Sequence, residues 1–224
     1  MKKNVKEALL DAAISLFSRS GYNAVSLRDI AKEADANLGS LTYHFGSKAN
    51  LLKEIYERHT QPMNARRLEL LGEARRVRDA HDRLAAILRA YVVPAYISSS
   101  ESDGGGAQFT RMRAILSAES NPDAQKIIAD AFDDTSRVFI DAIAETVPGA
   151  SQEALVWRSQ FLLGALYYSL INPDRVTRLS AGVVDGNDRD AAIEHLVQAT
   201  YASFAALAVG PNLPHDAAQE RWIN

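Results

Sequence analysis

The residues best suited to chemistry in this chain lie between Asn37 and Lys48. Asn37, Leu38, Gly39 and Ser40 are followed by Thr42, Tyr43 and His44, and Lys48 closes the run. They supply hydrogen-bond donors, an imidazole and an ammonium around one outward apolar side chain. Such a set meets phosphates and base edges. Asn37 and Ser40 hydrogen-bond a base edge or a phosphate, Leu38 meets a thymine methyl, and Gly39 lets the backbone approach a groove. Tyr43, His44 and Lys48 are phosphate-reaching types. Ser26 and Arg28 open the preceding segment, where the N–H groups of a helix start would meet a phosphate. Each residue has a plainer reading as turn or core, and Phe45 is expected to be core. Their joint placement is what points to nucleic acid.

Positioning these side chains requires two short helices joined tightly behind a supporting one. Asn4 followed by Glu7 starts the first, which places Val5, Leu9, Ala13 and Phe17 on one apolar face until Gly21 stops it. Ser26-x-x-Asp29 is a capping box for a second helix whose buried stripe is Leu27, Ile30 and Ala31. Asn37 and Gly39 turn the chain into a third, which ends at Gly46. In a helix-turn-helix the second helix of the pair enters the major groove N-terminus first, so about two turns suffice.

The remainder also reads as helices. Ser47 caps a long one in which Pro62 ends or kinks the helix, and "MNARRLELLGEARRVR" continues the helical period. Asp79-x-x-Asp82 opens another, with Pro94 a further kink. Residues 98–107, "SSSESDGGGA", read as a mobile loop. Asn121-Pro122 is a helix start, and Ser151 begins a helix running to Ile171. "INPDRVTRLSAGVVDGND" reads as a long connection before a last helix from Asp190 to Val209. No hairpin signal or repeat is present. The fold class is all-α: an N-terminal three-helix head over residues 1–47, a helical-bundle body over 48–210, and a tail over 211–224.

Composition excludes other classes. Cysteine is absent, which removes disulfides and thiolate chemistry. The five histidines (His44, His59, His81, His195, His215) show no His-Glu-x-x-His spacing, and no Gly-x-Ser-x-Gly elbow or phosphate-cradling loop occurs. No catalytic set, metal site or cofactor is expected, and the chain is not expected to be an enzyme. No apolar run is long enough to span a bilayer, and Glu7 and Asp11 argue against a signal peptide, so no membrane partner is expected and the cytoplasm is. The net charge of −3 is unevenly spread. Lys2, Lys3, Lys6, Arg19, Arg28, Lys32, Lys48, Lys53 and Arg58 outnumber the acids of residues 1–60, which leaves a mildly basic head on an acidic body.

The run "AISLFSRSGYNAVSLRDIAKEADANLGSLTYHFGSKANLL" resembles the DNA-binding domain of the tetracycline-repressor family over roughly residues 5–55. The family pattern has a helix ending in Phe, a Gly-Tyr/Phe turn, a Ser/Thr-x-x-x-Ile-Ala helix, and a Tyr-x-His-Phe or similar segment followed by Lys and Leu-Leu. One departure matters: the usual aromatic two residues before the His is Thr42 here, with the aromatic at Tyr43. The pattern therefore leaves open which of the two holds a phosphate. The resemblance implies a double-stranded operator as partner and a second domain that dimerises through its last two helices and encloses an effector pocket.

"YVVPAY", "ESNPDAQKIIADAFD" and "WRSQFLLGALYYSLINPDRVTRLSAG" are similar to the PsrA-like branch, which implies an apolar effector such as a fatty acid or acyl-CoA. From the residues alone, Tyr91, Phe109, Met112, Leu116, Phe139, Trp157 and Phe161 are the apolar groups expected around a pocket, with Arg111, Arg113 and Arg158 to meet a carboxylate. Ordinary core packing uses the same types. Small residues Gly164, Ala199, Ala202, Ser203 and Ala206 allow close helix approach, and Leu163, Leu166, Tyr167, Leu170 and Leu196 supply apolar contact for a two-fold four-helix interface. The expectation is a homodimeric, ligand-responsive repressor. The competing expectation is a helical carrier of an apolar ligand that binds no specific DNA.

Overall fold

The computed structural model describes residues 4–96 and 105–209. Residues 98–104 of the expected loop and the tail 211–224 lie outside them. Among the described residues the regular elements are all helices: α1 Val5–Ala24, α2 Leu27–Glu33, α3 Leu38–Phe45, α4 Lys48–Ala74, α5 Ala80–Tyr96, α6 Gly105–Ala118, α7 Pro122–Ala144, α8 Gln152–Ile171, α9 Asp174–Leu179 and α10 Arg189–Val209.

The helix starts are built by the side chains that the sequence offered for them. Asn4, Ser26, Asn37, Ser47, Asn121 and Ser151 each accept a hydrogen bond from a backbone N–H of the first turn they precede. At Ser26 the box is closed from both sides, since Asp29 also accepts from the Ser26 N–H at 2.9 Å. Gly21 interrupts α1 with φ 78° and ψ 174°, and Gly46 ends α3 with φ 72°.

Three expectations change. The helix begun at Lys48 runs through Pro62 as one element to Ala74, with Pro62 on the exposed side. Of the expected loop, Gly105 to Ala107 belong instead to α6. The long connection after Ile171 contains a helix of its own, α9, whose six residues carry too little periodicity to be read from sequence.

Two apolar cores organise the bundle. The first joins Leu9, Phe17, Ile30, Leu41 and Phe45 of the head to Tyr56 and Met63 of α4, Phe109, Met112 and Leu116 of α6, and Phe132 of α7. The second gathers the end of α4, α5, the second half of α7, α8 and α10 around Ile87, Leu88, Phe139, Leu166 and Phe204. Helix α1 therefore lies against α6, while α4 packs on α5 and α7 and α10 packs on α5 and α8. The head shares its core with the body, so no packing boundary falls at residue 47.

Candidate DNA-binding face and ligand cavity

Helix α3 is held from beneath by Leu41 and Phe45, which are buried, and this turns its other side chains outward. Leu38 is 39% exposed and Tyr43 is 87% exposed. His44 and Gly39 are exposed as well, and Ser40 is half-buried. The helix has no acidic residue.

Several of the expected contact residues are already engaged. Asn37 Oδ1 accepts from the Ser40 N–H at 2.7 Å, so only its amide nitrogen remains to donate. Thr42 donates its hydroxyl to the Leu38 carbonyl at 3.0 Å. Ser26 donates its hydroxyl to Asp29 at 2.6 Å, and these hydrogen bonds hold the Asp29 carboxyl below its ordinary pKa. A phosphate approaching Ser26 would therefore meet a carboxylate. Lys48 Nζ donates to the carbonyls of Tyr22 and Val25, both at 2.8 Å, and lies 4.2 Å from the Tyr22 ring centroid. Burial lowers its pKa, with Glu119 opposing. Its main work is to clamp the start of α4 to the turn between α1 and α2. Among the expected residues, Arg28, Tyr43 and His44 are exposed with no side-chain hydrogen bond.

The same turn is gripped from the body. Glu119, just past the end of α6, accepts from the Tyr22 N–H at 2.9 Å and from the Asn23 N–H at 3.1 Å. Asn121 donates to Asn23 Oδ1 at 2.7 Å. A Cβ on Gly21 would collide with the Glu119 carboxylate, so the glycine serves both the turn and this close approach. Sequence reasoning missed Glu119, because nothing local marks a contact made across nearly half the chain.

On the other side of α6 lies a cavity of about 520 Å³, lined from α5, α6, α7 and α8. Of the residues expected at a pocket, Tyr91, Arg113 and Phe139 line it. Phe109, Met112 and Leu116 are instead fully buried in the first core, where Phe109 stacks on His59. Trp157 and Phe161 are 56% and 63% exposed on the outer side of α8. Arg158 donates to the carbonyl and hydroxyl of Ser203, tying α8 to α10. Periodicity alone could not separate the inner and outer faces of a helix as apolar as α8.

Arg67 was also missed. It is fully buried on α4, and its Nε donates to the Tyr91 carbonyl at 3.0 Å while Nη1 and Nη2 have no hydrogen-bond partner. Arg113 is 3% exposed and its Nε is likewise unpartnered. Aromatic faces supply part of what water would: the Arg113 guanidinium lies 3.4 Å from the Phe132 centroid and that of Arg67 lies 4.2 Å from the Tyr91 centroid. Such contacts are worth up to about 2 kcal/mol when desolvated, against a penalty of several kcal/mol for each buried ion. Burial draws Arg67 down to about 10, so it remains charged at neutral pH. Burial pushes Tyr91 upward, yet the Arg67 and Arg113 charges prevail and its pKa falls.

The outer side of α8 and α10 is a third feature. Trp157, Phe161, Ala165 and Tyr168 are exposed on α8, and Ala199, Ala202 and Ala206 are exposed on α10. The other residues expected at an interface divide. Leu166 and Leu196 are buried in the second core, Leu163, Gly164 and Tyr167 line the cavity, and Leu170 and Ser203 are half-buried.

Known proteins resemble most of the chain. A family model described as "Bacterial regulatory proteins, tetR family" matches residues 9–55, and one described as "Tetracyclin repressor-like, C-terminal domain" matches residues 89–203. The probable HTH-type transcriptional regulator YttP of Bacillus subtilis is 33% identical over 67 residues, which are 28% of this chain and 32% of that protein. The biofilm operon negative transcriptional regulator IcaR of Staphylococcus aureus is 47% identical over 53 residues, 24% of this chain and 26% of that protein. The chain thus spans only about a third or a quarter of these relatives' length. Among solved structures, a TetR-family regulator from Bordetella parapertussis superposes with a TM-score of 0.62 at 19% identity, covering 88% of this chain and 94% of that one. The regulator FadR of Bacillus subtilis in complex with stearoyl-CoA gives 0.57 at 15% identity, covering 92% and 98%. At these identities the superpositions speak for the fold.

Proposed function

Because the chain belongs to the tetracycline-repressor family of bacterial regulatory proteins, we propose that it is a homodimeric repressor released from DNA by a small molecule. The observation that carries this reading is α3, a helix without an acid that presents Leu38, Tyr43 and His44 outward from a rigid base. Two such helices about one DNA turn apart would read a pseudo-palindromic operator. Leu38 and Gly39 face base edges, the Asn37 amide and Ser40 hydroxyl donate, and Tyr43, His44 and Arg28 reach phosphates. Between Thr42 and Tyr43, the phosphate contact goes to Tyr43, whose hydroxyl is free where that of Thr42 is spent on Leu38. Work on an operator belongs in the cytoplasm.

The exposed side of α8 and α10 supports the dimer. Aromatic groups on one helix and small residues on the other suit a four-helix seam around a two-fold axis. The cavity supports an effector with an apolar body, a fatty acid or acyl-CoA being the class that the fold shared with FadR favours. Helix α6 joins the two ends. Arg113, Ala114 and Ser117 face the cavity, and Glu119, immediately beyond, holds the turn that also anchors Lys48. An effector that binds more tightly to one placement of α6 shifts the heads to a spacing that no longer fits the operator, through that difference in affinity alone. As domains, 1–47 reads DNA, 48–210 binds ligand and dimerises, and 211–224 is a tail.

The test is selection of bound DNA from a genomic library by the purified protein, followed by gel shifts at two salt concentrations. Salt-sensitive, sequence-selective binding that Tyr43→Ala weakens is expected. Ligand binding without selective DNA affinity would favour the carrier instead.

A further inference from the structure

The cavity is electrically lopsided. Arg113 lines it, and Arg67 lies behind the Tyr91 and Phe132 rings of its wall. Both terminal nitrogens of Arg67, Nε of Arg113 and the Tyr56 hydroxyl are buried there without hydrogen-bond partners. Among the described residues no carboxylate is ion-paired with either arginine, and the charged or ionisable neighbours of Arg67 are Tyr91, Arg113 and Tyr167. The one carboxylate in the lining, Asp133, is exposed at the rim and ion-paired with Arg137 at 3.7 Å. Ile87, Leu88, Ile140, Ile143 and Leu162 give the wall an aliphatic stretch, and Ser117, Gln125, Ser136, Ser159 and Gln160 add neutral polar groups. Two cations without a carboxylate partner at the wall of a largely uncharged chamber are costly in a ligand-free protein and become useful when an anion enters.

We propose that the cavity takes an amphipathic organic anion whose carboxylate or phosphate headgroup is accepted by Arg113 and drawn in by Arg67, its apolar body lying along the aliphatic wall. The proposal rests on the cavity being the effector site and narrows what that effector is. The negative charge must sit at the end of the apolar body that reaches Arg113. A neutral ester of the same size leaves both guanidinium groups as they were, and an amine adds a third positive charge beside them.

Calorimetry on the full chain with decanoate, decyl phosphate, methyl decanoate and decylamine tests this, with operator release followed in parallel by gel shift. One of the two anions is expected to bind at least about tenfold more tightly than methyl decanoate, and decylamine more weakly still. The stronger of the two anions identifies the headgroup. Arg113→Met keeps most of the side-chain volume and should bring the anion and ester affinities within about threefold of each other. Arg67→Met should shrink the same ratio and serves as the second variant if the first does not fold. Equal binding of decanoate, decyl phosphate and methyl decanoate to the wild-type chain would overturn the proposal. So would a ratio unchanged in both variants, or no anion binding at ~1 mM. If the ester releases operator as well as the anions do, the anion site falls and the effector reading stands. If an anion binds selectively but leaves the operator complex intact, the effector reading falls and the anion site stands.

Discussion

The head and the inner body treat polar side chains in opposite ways. In the head several polar groups close on a near neighbour, Ser26 with Asp29, Asn37 with Ser40 and Thr42 with Leu38, and Lys48 at the start of α4 donates to Tyr22 and Val25. In the body Arg67 and Arg113 are carried into the interior and left with unpartnered nitrogens. The difference teaches where to look for function in each region. On an exposed face where several polar groups are spent, the informative side chains are the free ones, Arg28, Tyr43 and His44. In a packed interior, the informative side chain is the buried one that its surroundings fail to neutralise.

The contrast would weaken if head and body were separate folding units. Phe17 is fully buried in a core that includes Tyr56, Phe109 and Phe132 as well as the head's own residues. Phe17→Ala should cost about 3–5 kcal/mol. Chemical denaturation should still show one transition, with tryptophan fluorescence and far-ultraviolet dichroism coinciding. Two separated transitions would mean that the shared core does not couple the regions.

The next largest effect is expected at Glu119, which belongs to the body but behaves like a head residue. Its carboxylate accepts from two backbone N–H groups of the α1–α2 turn. Hydrogen bonds to a charged group contribute about 1.5–3 kcal/mol, and Glu119→Ala should lower stability by an amount in that range. It should also blunt operator release by ligand more than it weakens ligand binding itself. A variant that loses stability but keeps full ligand response would remove Glu119 from the relay.

This division also explains what was legible in the sequence. Helix starts and stops depend on groups within four residues of one another, and Asn4, Ser26, Asn37, Asn121, Ser151, Gly21 and Gly46 all act where their local context put them. The all-α class and the recognition helix followed from such signals. The pocket did not. Whether Phe109 or Phe139 faces a cavity depends on which helices surround it, and Phe109 proved to be core. Trp157 and Phe161 share an apolar helix with Leu162 and Leu163 but point the other way. Arg67 looked like any solvated arginine of an amphipathic helix until α5 and α7 closed over it.

Smaller in effect, two substitutions in the head separate structural from contacting groups. Ser26→Ala removes a cap and should cost about 1 kcal/mol in denaturant titrations. At temperatures where the chain stays folded, its operator affinity should be nearly unchanged. Tyr43→Phe should leave stability alone and weaken operator binding by the worth of one hydrogen bond, about 0.5–1.5 kcal/mol. The reverse pattern, in which Ser26→Ala weakens DNA binding more than Tyr43→Phe, would return the phosphate contact to the start of α2.

The smallest effect expected is at His59, which sits where the two regions meet. Its ring stacks on Phe109 of α6 at 4.9 Å between centroids, and the residue is half-buried. Burial lowers its pKa, the neighbouring Arg58 lowers it further, and Asp11 opposes both. A lowered base binds its proton more readily in the unfolded chain, whose histidine titrates near pH ~6.5. Between that value and the lower folded one, the unfolded state carries more protons, so stability should rise with pH across the window and level off above it. Denaturation midpoints measured from pH 8 down to pH 5 should therefore fall more steeply for the wild-type chain than for His59→Gln. Parallel curves would mean that the folded protein accepts a charge at this joint at no cost. The head's habit of neutralising its polar groups locally would then extend to His59, and the boundary between the two regimes would lie deeper, at Arg113.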